Sequence, residues 1–116
     1  MSISIAVFSI MYGIRYNYDM EYIIKQTEDF STWLLALRDV RAQLAIGRRI
    51  DRAKAGNLGD VKPVGGGVSE MRVDVGAGYR LYFTLRDRRM VLLLVGGDKS
   101  TQQSDIRKAI DLAQEV

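Results

Sequence analysis

Apolar positions recur with two different periods along the chain. Residues 21–27 (EYIIKQT) are rich in β-branched side chains and predict a strand. Glu28 and Asp29 then place negative charge where a helix begins, and Phe30, Trp33, Leu34 and Leu37 follow at helical spacing. A second helix is predicted over 39–54, with Val40, Leu44 and Ile50 as its buried stripe and Gly56 as its stop. The two helices are expected to form a hairpin. Residues 62–67, with Pro63 and three successive glycines, read as a flexible loop. From 68 onward the period is two. Over 68–75, Met71, Val73 and Val75 point one way and Glu70, Arg72 and Asp74 the other. Gly76-Ala77-Gly78 is a three-residue hairpin loop leading to a strand over 79–86. There Tyr79, Leu81, Phe83 and Leu85 alternate with Arg80, Tyr82, Thr84 and Arg86. With Val75 opposite Tyr79, Asp74 faces Arg80, Arg72 faces Tyr82 and Glu70 faces Thr84, all on the face away from the core. A strand over 90–95 is apolar on both faces and therefore interior. Residues 96–99 read as a loop, Ser100 with Gln103 as a capping box, and Ile106, Ala109, Ile110 and Ala113 as the apolar face of a last helix. The order β-α-α-β-β-β-α over 20–116 is an α+β fold, a mostly antiparallel, twisted sheet covered by helices.

Residues 1–19 stand apart from this pattern. The apolar run over 3–14 is too short to span a bilayer, and its first basic residue, Arg15, follows it, the reverse of a secretory signal. Met20 sits directly before the first strand. The segment reads as an N-terminal extension outside the fold, with a short extra strand or a partner-binding arm as the alternatives. Without a targeting signal or a membrane span, a cytoplasmic location is expected.

Composition narrows the chemistry. The 116 residues, 47% hydrophobic and 27% charged, fit one globular domain. There is no cysteine and no histidine, so thiolate sites, histidine metal ligands, Ser-His-Asp triads and histidine acid–base pairs are excluded. Catalysis would have to use Arg, Lys, Tyr, Asp, Glu or the backbone.

Charge points to an anionic partner. Twelve of the 17 basic residues are arginines, whose planar fork suits phosphate. Between residues 38 and 89 there are 12 basic and 6 acidic residues. Arg41, Arg48 and Arg52, spaced by seven and four, share one helix face, with Arg49 and Lys54 beside them. Such a stripe fits a polyanion or an acidic protein. The hairpin face carrying Arg72, Arg80, Arg86 and Tyr82 can bind phosphate and stack a base; the plainer reading is a solvated face with an Asp74–Arg80 pair. Residues 96–100 (GGDKS) are a candidate anion site before a helix, without the spacing of a Walker loop.

WLLALRD (33–39), RRIDR (48–52), GNLGD (56–60), GVSEMR (67–72), GYRLY (78–82) and LLVGGDKSTQ (93–102) together resemble the RelE/ParE-like toxins of bacterial toxin–antitoxin modules. Within them the chain looks most like the phage-related addiction module killer proteins, a HigB/RelE-like branch. The resemblance spans nearly all of 20–116. It implies a type II toxin that inhibits translation as a ribosome-dependent mRNA endoribonuclease, with no metal and no other cofactor. Its partners would be the ribosome, mRNA and a cognate antitoxin, a helix-turn-helix protein from the adjacent gene. By this resemblance Arg80, Lys99 and Arg72 are catalytic candidates. Tyr82 joins them as the hairpin face's group for proton transfer, and the charge pattern makes Arg41, Arg48, Arg49, Arg52, Lys54 and Arg86 the RNA-binding candidates. The antitoxin is expected over the basic face or beside the last helix. A ParE-like DNA gyrase poison and a non-catalytic RNA- or antitoxin-binding module are the alternatives on the same fold.

Overall fold

The computed structural model describes residues 21–116, so the extension expected at 1–19 lies outside the described residues. Strand β1 (Ile23–Gln26) runs into Thr27, which caps helix α1 (Glu28–Ala36). The Thr27 hydroxyl accepts from the Phe30 N–H at 3.0 Å and donates to the Leu94 carbonyl at 2.7 Å, so one side chain both starts α1 and ties it to the sheet. Asp39 caps α2 (Val40–Lys54) through the Ala42 N–H. Gly56, at φ 102°, ends it: its N–H reaches Ala53 and the Asn57 N–H reaches Arg52, the paired bonds of a Schellman stop. Strands β2 (Val61–Gly65), β3 (Val68–Val73), β4 (Tyr79–Arg86) and β5 (Met90–Asp98) follow, then a 3-10 turn (Lys99–Thr101) and α3 (Gln102–Glu115).

The sheet order is β1-β5-β4-β3-β2, with β1 parallel to β5 and every other pair antiparallel. The α+β class expected from the sequence stands, and the mixed five-stranded sheet is compatible with a RelE-like fold. Helices cover both faces. Phe30 of α1 and Ala42, Ile46 and Ala53 of α2 pack with Met71, Val73, Leu81, Phe83, Val91 and Leu93 on one side. On the other, Ala109 and Ala113 of α3 pack with Val68, Tyr82, Leu94 and Val95. Among the described residues no helix is long and apolar enough to cross a membrane.

Several expectations are corrected. The loop expected at 62–67 contains strand β2; Pro63 is tolerated because β2 is an edge strand, where a missing N–H costs no ladder bond. The β3–β4 register is Arg72 opposite Arg80 and Glu70 opposite Tyr82, two residues from the expected one. The loop is wider, with Gly76 and Gly78 both at positive φ and Gly78 N–H bonded to the Val75 carbonyl. A shift of two keeps each side chain on its face. That face is not solvated below Arg72, because α3 lies on it. The α2 stripe is also different: Val40 and Leu44 are exposed, and Ala42, Ile46, Arg49 and Ala53 face inward, with Ile50 half-buried at the margin. In place of a self-packed hairpin, α1 rests chiefly on β5 and α2 on β1 and β3, with Gln43 Nε2 bonding the Leu34 and Leu37 carbonyls at their junction.

Strand β5 continues through Gly96 and Gly97, where a loop was expected. A Cβ on Gly96 would collide with the Trp33 ring, and one on Gly97 with the Asp105 carboxylate. The glycine half of the anion cradle expected at 96–100 is therefore filled by Trp33 and Asp105, while Lys99 and Ser100 line an open cavity with Thr101, Gln102 and Arg107. The capping box does not form either: Asp98 accepts the Ser100 N–H at 2.8 Å, starting the 3-10 turn, and Thr101 precedes α3 without a side-chain cap bond.

Candidate functional site

The positive charge assembles at the N-terminal end of α3. Arg72, Arg80 and Gly97 are neighbours across β3, β4 and β5; Glu70, Tyr82 and Val95 form the next row on the same face. Glu70 is the floor of the cluster, 2% exposed. It accepts from Arg72 Nε at 3.0 Å, lies 3.9 Å from Arg80 Nε, and is met by Gln102 Nε2 at 3.5 Å. Burying a carboxylate is tolerable only with partners of this kind. The pair with Glu70, by hydrogen bond first and charge second, holds the Arg72 guanidinium above its ordinary pKa.

Gly78 joins the other two cations. Arg80 Nη1 donates to the Gly78 carbonyl at 3.0 Å. The Lys99 chain passes over the same residue, since a Cβ on Gly78 would stand 2.8 Å from Lys99 Cε. Gly78, at φ 76°, is thus required by both its backbone and its neighbour. The cations are graded in depth. Lys99 is exposed, the Arg72 side chain keeps 40% of its surface, and that of Arg80 keeps 10%. An anion approaching this end of the sheet would meet Arg72 and Lys99 first, with Arg80 beneath them.

Tyr82 was expected on an open face and is wholly buried under α3. Burial, reinforced by the nearby charges of Glu70 and Asp105, pushes its hydroxyl up to about 12. Neither that hydroxyl nor Arg80 Nε has a hydrogen-bond partner among the described residues. A tyrosine so placed is a poor proton carrier near neutral pH and cannot stack on a base. Gln102 and Asp105 wall the cluster, in the stretch where the family resemblance offers Gln102, Gln103 or Asp105 in place of a final-helix tyrosine. Their spacing from Asp98, about one and two helical turns past the end of β5, is the available signal.

The family profile described as Phage derived protein Gp49-like (DUF891) matches residues 32–116, from within α1 to the end of α3. The chain belongs to the Gp49-like family. An uncharacterized protein of Haemophilus influenzae is 48% identical to it over 93 residues, which cover 80% of this chain and 94% of that protein. All four catalytic candidates lie inside the Gp49-like match.

The second group of candidates is scattered on the Gp49-like scaffold. Arg49 was expected on an exposed stripe but is 5% exposed, facing the sheet. Its Nε donates to the Arg72 carbonyl at 3.3 Å and its Nη2 to the Asp60 carbonyl at 3.1 Å. Gly59, at φ 66°, closes over the guanidinium so tightly that a Cβ would stand 2.6 Å from Nη1. Burial first, then the charge of Arg52, lowers the Arg49 pKa. Arg86 is half-buried and donates to the Ala113 carbonyl in the last turn of α3. Arg41, Arg48, Arg52 and Lys54 are exposed on α2. That helix covers the sheet face opposite to the one bearing Arg72 and Arg80. Yet toward its C-terminal end Arg49 and Arg52 line one cavity with Arg72, Asp60 and Asp74, so the two groups meet there, while Arg41, Arg48 and Lys54 do not line it.

Proposed function

We propose that this protein is the toxin of a type II toxin–antitoxin module and that it cuts mRNA on the ribosome. The observation that carries the reading is the meeting of Arg72, Arg80 and Lys99 around Gly78 and Glu70. In the reaction the RNA's own 2′-hydroxyl attacks the adjacent phosphorus and the bond to the 5′-oxygen breaks. The 2′-oxygen passes its proton to solvent water, the leaving 5′-oxygen takes one from the Lys99 ammonium, and a cyclic phosphate remains. Charge builds on the phosphorane oxygens, and fixed cations are the most effective way to stabilise it. Arg72 and Lys99 are the open contacts, and Arg80 supports them from below. The Lys99 ammonium is the exposed proton donor of the cluster. Alignment of the attacking hydroxyl falls to the ribosome, which supplies the orientation that a shallow protein surface lacks. The partners are then the ribosome, mRNA and an antitoxin made from the neighbouring gene.

The test is expression in cells with mRNA mapped for cuts on ribosomes. Lys99→Ala and Arg80→Ala are each expected to lower cleavage about 100-fold or more and to abolish growth arrest, with the fold intact by circular dichroism. Arg80→Ala that stays fully toxic would sink the nuclease assignment. One observation favours a second reading: Arg80 is mostly covered and already engaged by Gly78, as expected of a structural arginine. A DNA gyrase poison or a non-catalytic binding module needs no reactive arginine. Induction of DNA-damage signalling with intact mRNA would select the gyrase poison.

A further inference from the structure

Helix α2 has an outer side that nothing in the described fold explains. Val40 is 64% exposed and Leu44 58%, one turn apart. Gly47 continues their line, three residues past Leu44, in the middle of a 15-residue helix. Glycine is the poorest helix former after proline, so a mid-helix glycine needs a reason. Packing within the described chain gives none, because a Cβ on Gly47 would meet nothing within 4 Å. A glycine beside exposed apolar residues permits another backbone to come close. Arg41, Arg48 and Arg52 run along one edge of this line, all exposed, and Asp51, the single acidic residue of the helix, ends the line one turn past Gly47.

We propose that this outer face of α2 seats an acidic amphipathic helix of the neutralising partner. Val40, Leu44 and Gly47 form the seam, and the three arginines meet the partner's carboxylates. The inference rests on the toxin–antitoxin reading and adds the place and chemistry of the contact. An amphipathic helix matches both halves of the surface, apolar side chains on the seam and acidic ones on its border. An RNA backbone would satisfy the arginines and leave Val40 and Leu44 without a counterpart. The face belongs to the layer on the opposite side of the sheet from Arg80, and its border at Arg52 reaches the cavity that Arg72 also lines.

The experiment uses the full chain co-expressed with the product of the neighbouring reading frame, with affinity measured by calorimetry. Leu44→Asp and Gly47→Leu are each expected to weaken the complex about 30-fold or more, the loss carried by a central interface residue. Both leave growth arrest by the free protein unchanged, and cells carrying either variant arrest even when the partner is present. Gly47→Ala separates docking from folding: it raises Tm, as a better helix former, while weakening the complex. Wild-type protein that binds no such partner overturns the toxin–antitoxin reading, and this proposal with it. Wild-type binding with Leu44→Asp and Gly47→Leu unimpaired overturns the α2 seat alone. Loss of mRNA cutting by Leu44→Asp with partner binding retained makes the face a nucleic-acid surface and also overturns the seat.

Discussion

Tyr82 and Arg49 were both read as surface groups, and both are buried for reasons that lie in the next element over. Tyr82 sits where α3 lands; Arg49 sits where Asp60 and β3 offer carbonyls. Neither partner is near in sequence, so alternation and helical spacing place the residue on a face without revealing what covers that face. Arg72 and Arg80 kept their expected side because the register moved by two. The Tyr82 hydroxyl, buried and without a partner among the described residues, should be dispensable. Tyr82→Phe is expected to hold or raise stability, by up to about 1 kcal/mol, since it removes an unsatisfied polar group. Cleavage should be unchanged within a few-fold, and a large loss would restore the hydroxyl to the reaction. The pH dependence follows from the same burial. The folded pKa, about 12, lies above the ordinary 10.0, so the neutral form is favoured in the fold. That contribution is complete below pH 10 and is lost as pH rises toward 12. Alkaline denaturation of Tyr82→Phe should begin at higher pH than that of the wild type.

Elements with a strong local signal were legible: the acidic start of α1, the glycine stop of α2, the apolar run of β5. Strand β2 was not, because VKPVG holds a proline, a glycine and only two apolar residues; it is a strand only through pairing with β3. The inner stripe of α2 was missed because two of its members are alanines and one is an arginine, which carry little hydrophobic signal beside Val40 and Leu44. The spacing of Ala42, Ile46 and Ala53 held the answer. The β4–β5 turn carries a different kind of mismatch. Asp87 and Arg88 both have positive φ, 54° and 59°, in a turn closed by the Arg89 N–H on the Arg86 carbonyl. The second position of such a turn suits glycine. An arginine there costs about 1 kcal/mol. Arg88→Gly is expected to raise Tm by about 4 °C, read by thermal unfolding. No rise would mean that the turn relaxes in solution.

The three-layer plan depends on a pair of glycines with opposite outlooks. Gly96 meets Trp33 of α1 and Gly97 meets Asp105 of α3. Alanine at 96 presses on a ring held in the core, and is expected to cost about 1–3 kcal/mol in denaturant unfolding. Alanine at 97 presses on a carboxylate at the rim, which can turn aside, so its cost should be the smaller. The reverse order would show that α3 is seated more rigidly than α1. At this scale the sequence already held a clue to the covered second face. The apolar side of the last helix, Ile106 to Ala113, needed a sheet surface of its own, and the first two helices occupied the other. The placement of Arg80 and Lys99 away from the outer side of α2 has a consequence for control. An inhibitor seated on the far layer would not plug the cations; it would work as bulk, keeping the loaded molecule out of a narrow cavity. Short anions should then still reach those cations in the silenced complex, and stripping the inhibitor away would return full potency at once, with no rearrangement to wait for.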